Sequence, residues 1–198
     1  MLGTEVGEIT YHAIEHEASP ALDARSVRLD AYLKSEGTVY NIEMQASSEP
    51  YLGRRLRYYQ SAIDATELPS GVAVGMLPES YIIFVCDYDP YSSGIPVYDI
   101  ERTCAQDPSV AVGDGSHWRV LNASAWQDEP DEGLRTLLQY VLDGKASDEL
   151  TCELDAVVAG INSDSRRWQK VDGFMSQEMN WANRVYAARQ EGLAEGEA

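Results

Sequence analysis

The sequence predicts an α/β fold with a C-terminal helical region. Short β-rich segments fill most of the first hundred residues, and one of them, residues 81–86, is a continuous apolar run typical of a strand buried on both faces. From about residue 130 onward, leucines recur at helical spacing. Because 44% of the 198 residues are apolar, the chain can close a globular core.

The elements of the first half follow from local patterns. We expect strands at residues 8–16, 25–34, 38–46 and 81–86, and accessory strands at 95–102 and 116–122, the latter at a sheet edge. A helix is expected after Pro50, because its apolar residues recur at spacings of four, three and four and so share one face: Leu52, Leu56, Tyr59 and Ile63.

The last third of the chain predicts three helices. An apolar stripe precedes Gly144, a typical helix end: Leu134, Leu137, Leu138 and Val141. Ser147 is placed to cap the next helix, in which Leu150, Leu154 and Val158 repeat every four residues. We expect a third helix at 164–188, whose large apolar side chains favour a homodimer contact or a seat for an absent N-terminal element: Trp168, Phe174, Met175, Met179 and Trp181.

These elements group into two predicted regions. Residues 1–128 form an α/β core with its accessory strands, and residues 129–198 form a helical region that packs on the core and frays after residue 189. We find no repeat and no linker between the two regions.

Charge and composition restrict the partners. Fifteen Lys and Arg against 33 Asp and Glu give a net charge of −18, so non-specific attraction to nucleic acid is disfavoured. The sequence has no run of 18 apolar residues and no basic stretch followed by an apolar one at its start, so we expect no membrane partner, no secretory signal and a cytoplasmic location. The three cysteines lack metal-ligand spacing and are expected to be reduced and structural: Cys86, Cys104 and Cys152.

Residues 27–45 predict a hairpin with one polar and one apolar face. If Glu36 and Gly37 form the turn, the numbers of paired residues sum to 73. One face is then apolar, with Leu29, Ala31 and Leu33 opposite Met44, Ile42 and Tyr40, and the other is polar, with Arg28, Asp30 and Tyr32 opposite Gln45, Glu43 and Asn41. A slip of one residue would mix the two faces, so the register is strongly specified.

The register sets Asp30 directly opposite Glu43, with Cβ atoms roughly 5 Å apart. Their repulsion requires either that one carboxyl group have a raised pKa or that a cation lie between them, and Mg²⁺ or Mn²⁺ suits such a pair of oxygen ligands. Gln45 lies on the same face, and the backbone carbonyl of Met44 is close enough to be a further metal ligand.

Basic and aromatic residues are concentrated beside these acids. Residues 25–63 carry a charge of +2, whereas the remainder carries −20. The expected helix bears Arg54, Arg55 and Arg57, and its Tyr58, Tyr59 and Gln60 are suited to contact phosphate or a base. Two simpler alternatives stay open: the polar face is solvated and neutralised by Arg28 and Lys34, or the helix arginines only pair with nearby carboxylates.

Taken in chain order, these residues resemble the PD-(D/E)XK nuclease family transposases, also called recombination-promoting nucleases. The resemblance rests on Asp30, on residues 43–45, on the helix with Arg55 and residues 58–60, and on residues 81–90, and it covers roughly residues 8–190. It implies a mixed β-sheet core flanked by helices and metal-dependent cleavage of a phosphodiester bond in DNA.

The resemblance also assigns roles to individual residues. Asp30, Glu43 and Gln45 match catalytic positions, and Mg²⁺ or Mn²⁺ would be held by Asp30, Glu43 and Met44. Binding of DNA would fall to Arg28, Arg55, Tyr58, Tyr59 and Gln60. Two departures are evident: Gln45 is neutral where the wider superfamily often has Lys, and the usual N-terminal helix is missing.

The function that we expect is therefore a transposase- or recombination-associated DNA endonuclease that requires a divalent metal ion. Two alternatives stay open. A protein interaction module that retains the nuclease scaffold with a degenerate site is favoured by Gln45 and by the charge of −18. The other alternative is a carboxylate site that acts on a different phosphoester, such as a nucleotide.

Two other clusters have simpler explanations. His12 and His16 are four residues apart but lie in a strand-like segment, so a surface pair is expected rather than a metal site. Asp87 and Asp89 follow a buried strand, where open sheets often place functional groups, yet turn formation explains them at least as well.

Overall fold

The computed structural model describes residues 7–18, 27–46, 48 and 50–163. The chain divides into two compact units, residues 1–145 and 146–198. The described part of the first unit holds β1 (Ile9–Ala18), β2 (Val27–Ser35), β3 (Thr38–Gln45), α1 (Leu52–Glu67), β4 (Glu79–Cys86), β5 (Val97–Ile100), β6 (Ser116–Asn122) and α2 (Glu132–Asp143). The second unit holds α3 (Glu149–Ser163).

The strands of the first unit form one mixed six-stranded sheet in the order β1-β2-β3-β4-β6-β5. Neighbours from β1 to β3 run antiparallel, β3, β4 and β6 run parallel, and β5 is antiparallel to β6. The expected α/β class, with a mixed sheet flanked by helices, is thus confirmed. The edge position expected for residues 116–122 is wrong, because β6 pairs with β4 on one side and with the short β5 on the other.

The hairpin of β2 and β3 forms in the predicted register. Glu36 and Gly37 both have positive φ values, +48° and +79°, as the two central residues of a type I′ turn require. Paired residues run from Ser35 opposite Thr38 to Ala31 opposite Ile42. Beyond that pair the regular ladder stops, and the facing apolar pair expected at Leu29 and Met44 does not form: Leu29 is fully buried, whereas Met44 is 55% exposed.

Helix α1 covers the polar face of this hairpin. The four apolar residues that predicted the helix, Leu52, Leu56, Tyr59 and Ile63, are all buried. In β3 the buried positions are the alternate residues Val39, Asn41, Glu43 and Gln45, three of which are polar. The main core lies under α1 and includes Leu29, Leu56, Ile63, Val39, Ile82, Phe84 and Val120. The solvated polar face left open by the sequence is thus excluded.

The opposite face of the sheet is covered near its β4–β6 centre. Ile83 and Val85 of β4 are buried there, and a 3₁₀ segment, Ala123–Asp128, contacts β4 and leads into α2. The prediction of α2 is confirmed, because Leu134, Leu137 and Leu138 are buried and Gly144 ends the helix with a φ of +72°.

Helix α3 begins one residue later than its predicted cap implies. Asp148 is the cap, since its Oδ1 accepts a hydrogen bond from the Thr151 amide at 2.8 Å, whereas the Ser147 amide donates to Thr151 Oγ1 at 2.9 Å. Leu150 and Val158 are exposed. The third predicted helix, the residues expected at a dimer contact and the tail lie outside the described residues. Among the helices that are described, none combines the length and apolar character needed to cross a bilayer.

Gln60 joins α1 to the two central parallel strands. Its Nε2 donates to Asp64 Oδ1 at 2.8 Å and to Ser80 Oγ at 2.7 Å. Its Oε1 accepts from Ser116 Oγ at 3.0 Å and from Trp118 Nε1 at 3.2 Å. The buried amide is saturated by these four bonds, so Gln60 has a structural role in fixing α1 to the sheet.

Replacing Gln60 with Leu is expected to destabilise the protein by about 2–4 kcal/mol, because it leaves Ser80, Ser116 and Trp118 without this hydrogen-bonding partner. Urea unfolding followed by circular dichroism measures the effect. The control is Arg57→Ala on the exposed side of the same helix, which should change the free energy of unfolding by less than about 0.5 kcal/mol. Equal unfolding midpoints for the two variants would contradict the structural role.

Candidate active site

Asp30 and Glu43 meet where the β2–β3 ladder stops. The Asp30 amide donates to Oε1 of Glu43 at 3.1 Å, and the Met44 amide donates to Oδ2 of Asp30 at 3.1 Å. Side-chain oxygens therefore satisfy backbone amides at the end of the regular ladder. The two residues are thus in contact across neighbouring strands, although the directly opposed pair expected from the register lies beyond the regular ladder. Asp30 is partly buried, and Glu43 is only 1% exposed.

Asn41 is a member of this site that the sequence analysis did not single out. Its Nδ2 donates to the same Oε1 of Glu43 at 3.1 Å, and its side chain is fully buried. Its Oδ1 has no hydrogen-bond partner among the described residues. The signal was present in the sequence, because residues two apart on a strand share a face, which places Asn41 beside Glu43.

The environment of Glu43 raises the pKa of its carboxyl group to about 8. Burial under α1 is the main cause, since it penalises the charged form, and the negative charge of Asp30 adds to it. The hydrogen bonds from the Asp30 amide and from Asn41, together with the charge of Arg55, act in the opposite direction. The sequence analysis expected either a raised pKa or a bound cation to relieve the repulsion between the two acids. The surrounding protein groups raise the pKa of Glu43.

Arg55 lies over the acidic site from the first turns of α1. Its Nη2 is 3.6 Å from Oε2 of Glu43, and its Nη1 donates to Oε1 of Gln45. Its Nε and Nη2 both donate to the Tyr59 hydroxyl, at 3.1 and 2.8 Å. The guanidinium also stacks on Tyr59 and Phe84, 5.1 and 5.2 Å from the ring centroids. This arrangement agrees with the open alternative in which a helix arginine pairs with a nearby carboxylate.

The structure brings only some of the expected DNA-binding residues to the acids. Arg55 and Gln45 are in the site, whereas Tyr59 is buried and contacts Arg55. Tyr58 is on the exposed side of α1. The side chain of Arg28 lies outside the described residues.

Two other charged residues that the sequence analysis considered have partners elsewhere. Lys34 forms its ion pair with Glu67 at 2.7 Å, so it does not serve as the counter-ion expected under the solvated-face alternative. Asp89 accepts from the Gly94 amide and from the Tyr98 hydroxyl, both at 2.7 Å, which favours its interpretation as a turn residue.

The site offers oxygen donors of the kind that a hard divalent cation prefers. Asp30 and Glu43 contribute carboxylate oxygens, and Asn41 contributes a buried amide oxygen without a hydrogen-bond partner in the described part of the chain. No cluster of three or more His, Cys, Asp and Glu side chains suited to a metal occurs within the described ranges. Mg²⁺ tolerates such a set, because proteins commonly hold it by one or two carboxylates and leave the other positions to water and substrate phosphate.

Comparison of the chain with protein-family models, with curated proteins and with solved structures gives no match. The likeness to PD-(D/E)XK family transposases therefore rests on the residues quoted above and on their order along the chain.

The raised pKa of Glu43 predicts a specific pH dependence of stability. From its ordinary value of 4.5 to the folded value of about 8, the folded protein retains a proton that the unfolded chain has released, so the free energy of unfolding falls as pH rises through this interval. The fall attributable to Glu43 is about 5 kcal/mol when complete. Glu43→Gln should abolish this contribution. The free energy of unfolding of the variant should therefore increase relative to that of the wild type as pH rises, and the difference should be largest above pH 8.

Chemical unfolding at pH 5, 7 and 9 measures this difference, with EDTA present to remove metal ions. Glu101→Gln is the matched control, because the Glu101 side chain is 67% exposed. If the free energies of unfolding of the wild type and of Glu43→Gln change in parallel with pH, the prediction is wrong and the Glu43 carboxyl group titrates as it does in water.

Proposed function

We propose that this protein is a divalent-metal-dependent endonuclease that hydrolyses phosphodiester bonds in DNA, built on a PD-(D/E)XK nuclease-like core. The observation that carries the proposal is the burial of Glu43 in contact with Asp30, at a site rich in oxygen ligands. A buried carboxyl group beside a second acid is costly for folding, and sites that retain such pairs are often functional.

Each residue of the site has a role in this proposal. Asp30 and Glu43 would hold Mg²⁺ or Mn²⁺, and Asn41 and the backbone carbonyl of Met44 would be additional oxygen ligands. The bound ion would polarise the scissile phosphate and lower the pKa of a water molecule. Gln45, fixed by its bond from Arg55, would orient that water, and Arg55 would supply the positive charge that Gln45 lacks.

DNA is the substrate favoured by the charge distribution. Arg54 and Arg57 are exposed on α1, the helix that also carries Arg55. Residues 25–63 carry a net charge of +2 in a chain whose remainder carries −20, so the basic charge is concentrated in the segment that contains the two acids. Such a patch suits the phosphate backbone of a nucleic acid. The link to transposition or recombination comes from the family resemblance alone.

A protein interaction module is the competing function. Gln45 is neutral, and Arg55 already offsets the charge of Glu43. A site with these two features could be stable without a metal ion. The net charge of −18 also weighs against DNA as a general partner.

Nicking of supercoiled plasmid tests the nuclease directly. With Mg²⁺ or Mn²⁺ we expect cleavage that EDTA abolishes, and we expect Asp30→Asn and Glu43→Gln each to reduce the rate by about 100-fold or more, because each removes a charged oxygen ligand. Glu101→Gln, which removes an exposed charge, should cleave at the wild-type rate.

Calorimetric titration with Mn²⁺ separates the two functions. Binding that Asp30→Asn abolishes supports the nuclease, whereas a protein that binds no Mn²⁺ and cuts no plasmid favours the interaction module. Cleavage that persists unchanged in Asp30→Asn and Glu43→Gln would refute the assignment of the site.

A further inference from the structure

The two oxygens of the Glu43 carboxylate have different surroundings. Oε1 accepts two hydrogen bonds, from the Asp30 amide and from Asn41 Nδ2, both at 3.1 Å. These bonds fill the usual acceptor capacity of one carboxylate oxygen. Oε2 instead faces the guanidinium of Arg55, with Nη2 at 3.6 Å. The oxygen that retains acceptor capacity for a metal ion is thus the one that faces the positive charge of Arg55.

Arg55 has anchors that do not depend on Glu43. Its Nη1 donates to Gln45, its Nε and Nη2 donate to the Tyr59 hydroxyl, and its plane lies against the rings of Tyr59 and Phe84. Loss of the contact with Glu43 would therefore leave most of its interactions in place. A guanidinium held in this way can give up one carboxylate oxygen and stay beside the site.

We propose that Arg55 is the resident counter-cation of Glu43 and that a divalent metal ion binds only by displacing Arg55 from Oε2. This inference rests on the proposed metal-dependent function and adds a regulation of metal binding to it. Arg55 and the metal ion compete for one oxygen, so Arg55 lowers the affinity for metal in the free protein. Once displaced from Oε2, the guanidinium stays tied to Gln45 through Nη1 and is available to a substrate phosphate. Tyr59 is then a positioning residue that acts through Arg55.

Mn²⁺ affinity measured by calorimetry tests the competition without relying on cleavage. Arg55→Met should bind Mn²⁺ about tenfold more tightly than the wild type, because the competing cation is gone. Tyr59→Phe keeps the ring but loses the hydroxyl that accepts from Arg55, and it should tighten binding by about threefold. Tyr59→Phe retains the shape of the core, so it can test the competition even if Arg55→Met does not fold.

Arg54→Met is the matched control. It removes the same charge from the adjacent position of α1, where the guanidinium lies over Tyr51 at 5.4 Å. We expect its Mn²⁺ affinity to stay within about twofold of the wild type. Equal tightening in Arg54→Met and Arg55→Met would overturn the proposal, because it would indicate a diffuse effect of net charge. Unchanged Mn²⁺ affinity in both Arg55→Met and Tyr59→Phe would also overturn it while leaving the metal site intact.

A double-mutant cycle in EDTA at pH 9, where the Glu43 carboxyl group is largely ionised, tests the resident contact by itself. The changes in unfolding free energy for Arg55→Met and Glu43→Gln should be non-additive, because each removes one partner of the same contact. Additive changes would overturn the role of Arg55 as counter-cation. If the cycle is non-additive but no variant binds Mn²⁺, the metal-dependent function fails together with the displacement step, and only the ion pair stands.

Discussion

The burial of Glu43 beneath α1 is the constraint around which this part of the molecule is organised. A carboxylate in contact with a second acid and nearly free of solvent destabilises the fold unless its oxygens are satisfied. The chain satisfies them from three directions: the backbone of β2 at Asp30, a neighbouring residue of β3 at Asn41 and the helix above at Arg55. Each supporting group comes from a different part of the chain, so the site depends on the correct packing of all three.

Helix α1 is fixed to the sheet by polar contacts at both ends as well as by its apolar face. Its first turns hold Arg55 against Gln45, and its middle holds Gln60 against the central strands. Its last turn is tied to β2 through Glu67, whose carboxylate accepts from the Tyr32 hydroxyl at 2.5 Å and from Lys34 at 2.7 Å. Apolar burial supplies attraction without direction, whereas these directional bonds define where along the sheet the helix lies. These bonds keep Arg55 next to Glu43.

Local patterns in the sequence predicted much of the fold, because side-chain period and turn chemistry act over short distances. The polarity of alternate residues and the Glu36-Gly37 turn specified the β2–β3 register, and leucine spacing with Gly144 specified α2. The covered face of the hairpin could not be predicted in the same way: periodicity separates two faces, but only the placement of α1 decides which is buried. Two further features depend on contacts distant in sequence. One is the end of the regular ladder between Asp30 and Ala31, next to the buried Leu29, and the other is the internal position of β6.

The short connection between β2 and β3 has a consequence for how the acidic site is assembled. Asp30 and Glu43 are thirteen positions apart and are joined by strands that reverse through a two-residue turn. Closing such a small loop costs little chain entropy compared with the crossover that brings β4 alongside β3. The two carboxyl groups thus approach each other within a local hairpin, where water still screens their repulsion, and the low-dielectric environment arises only when the helix docks.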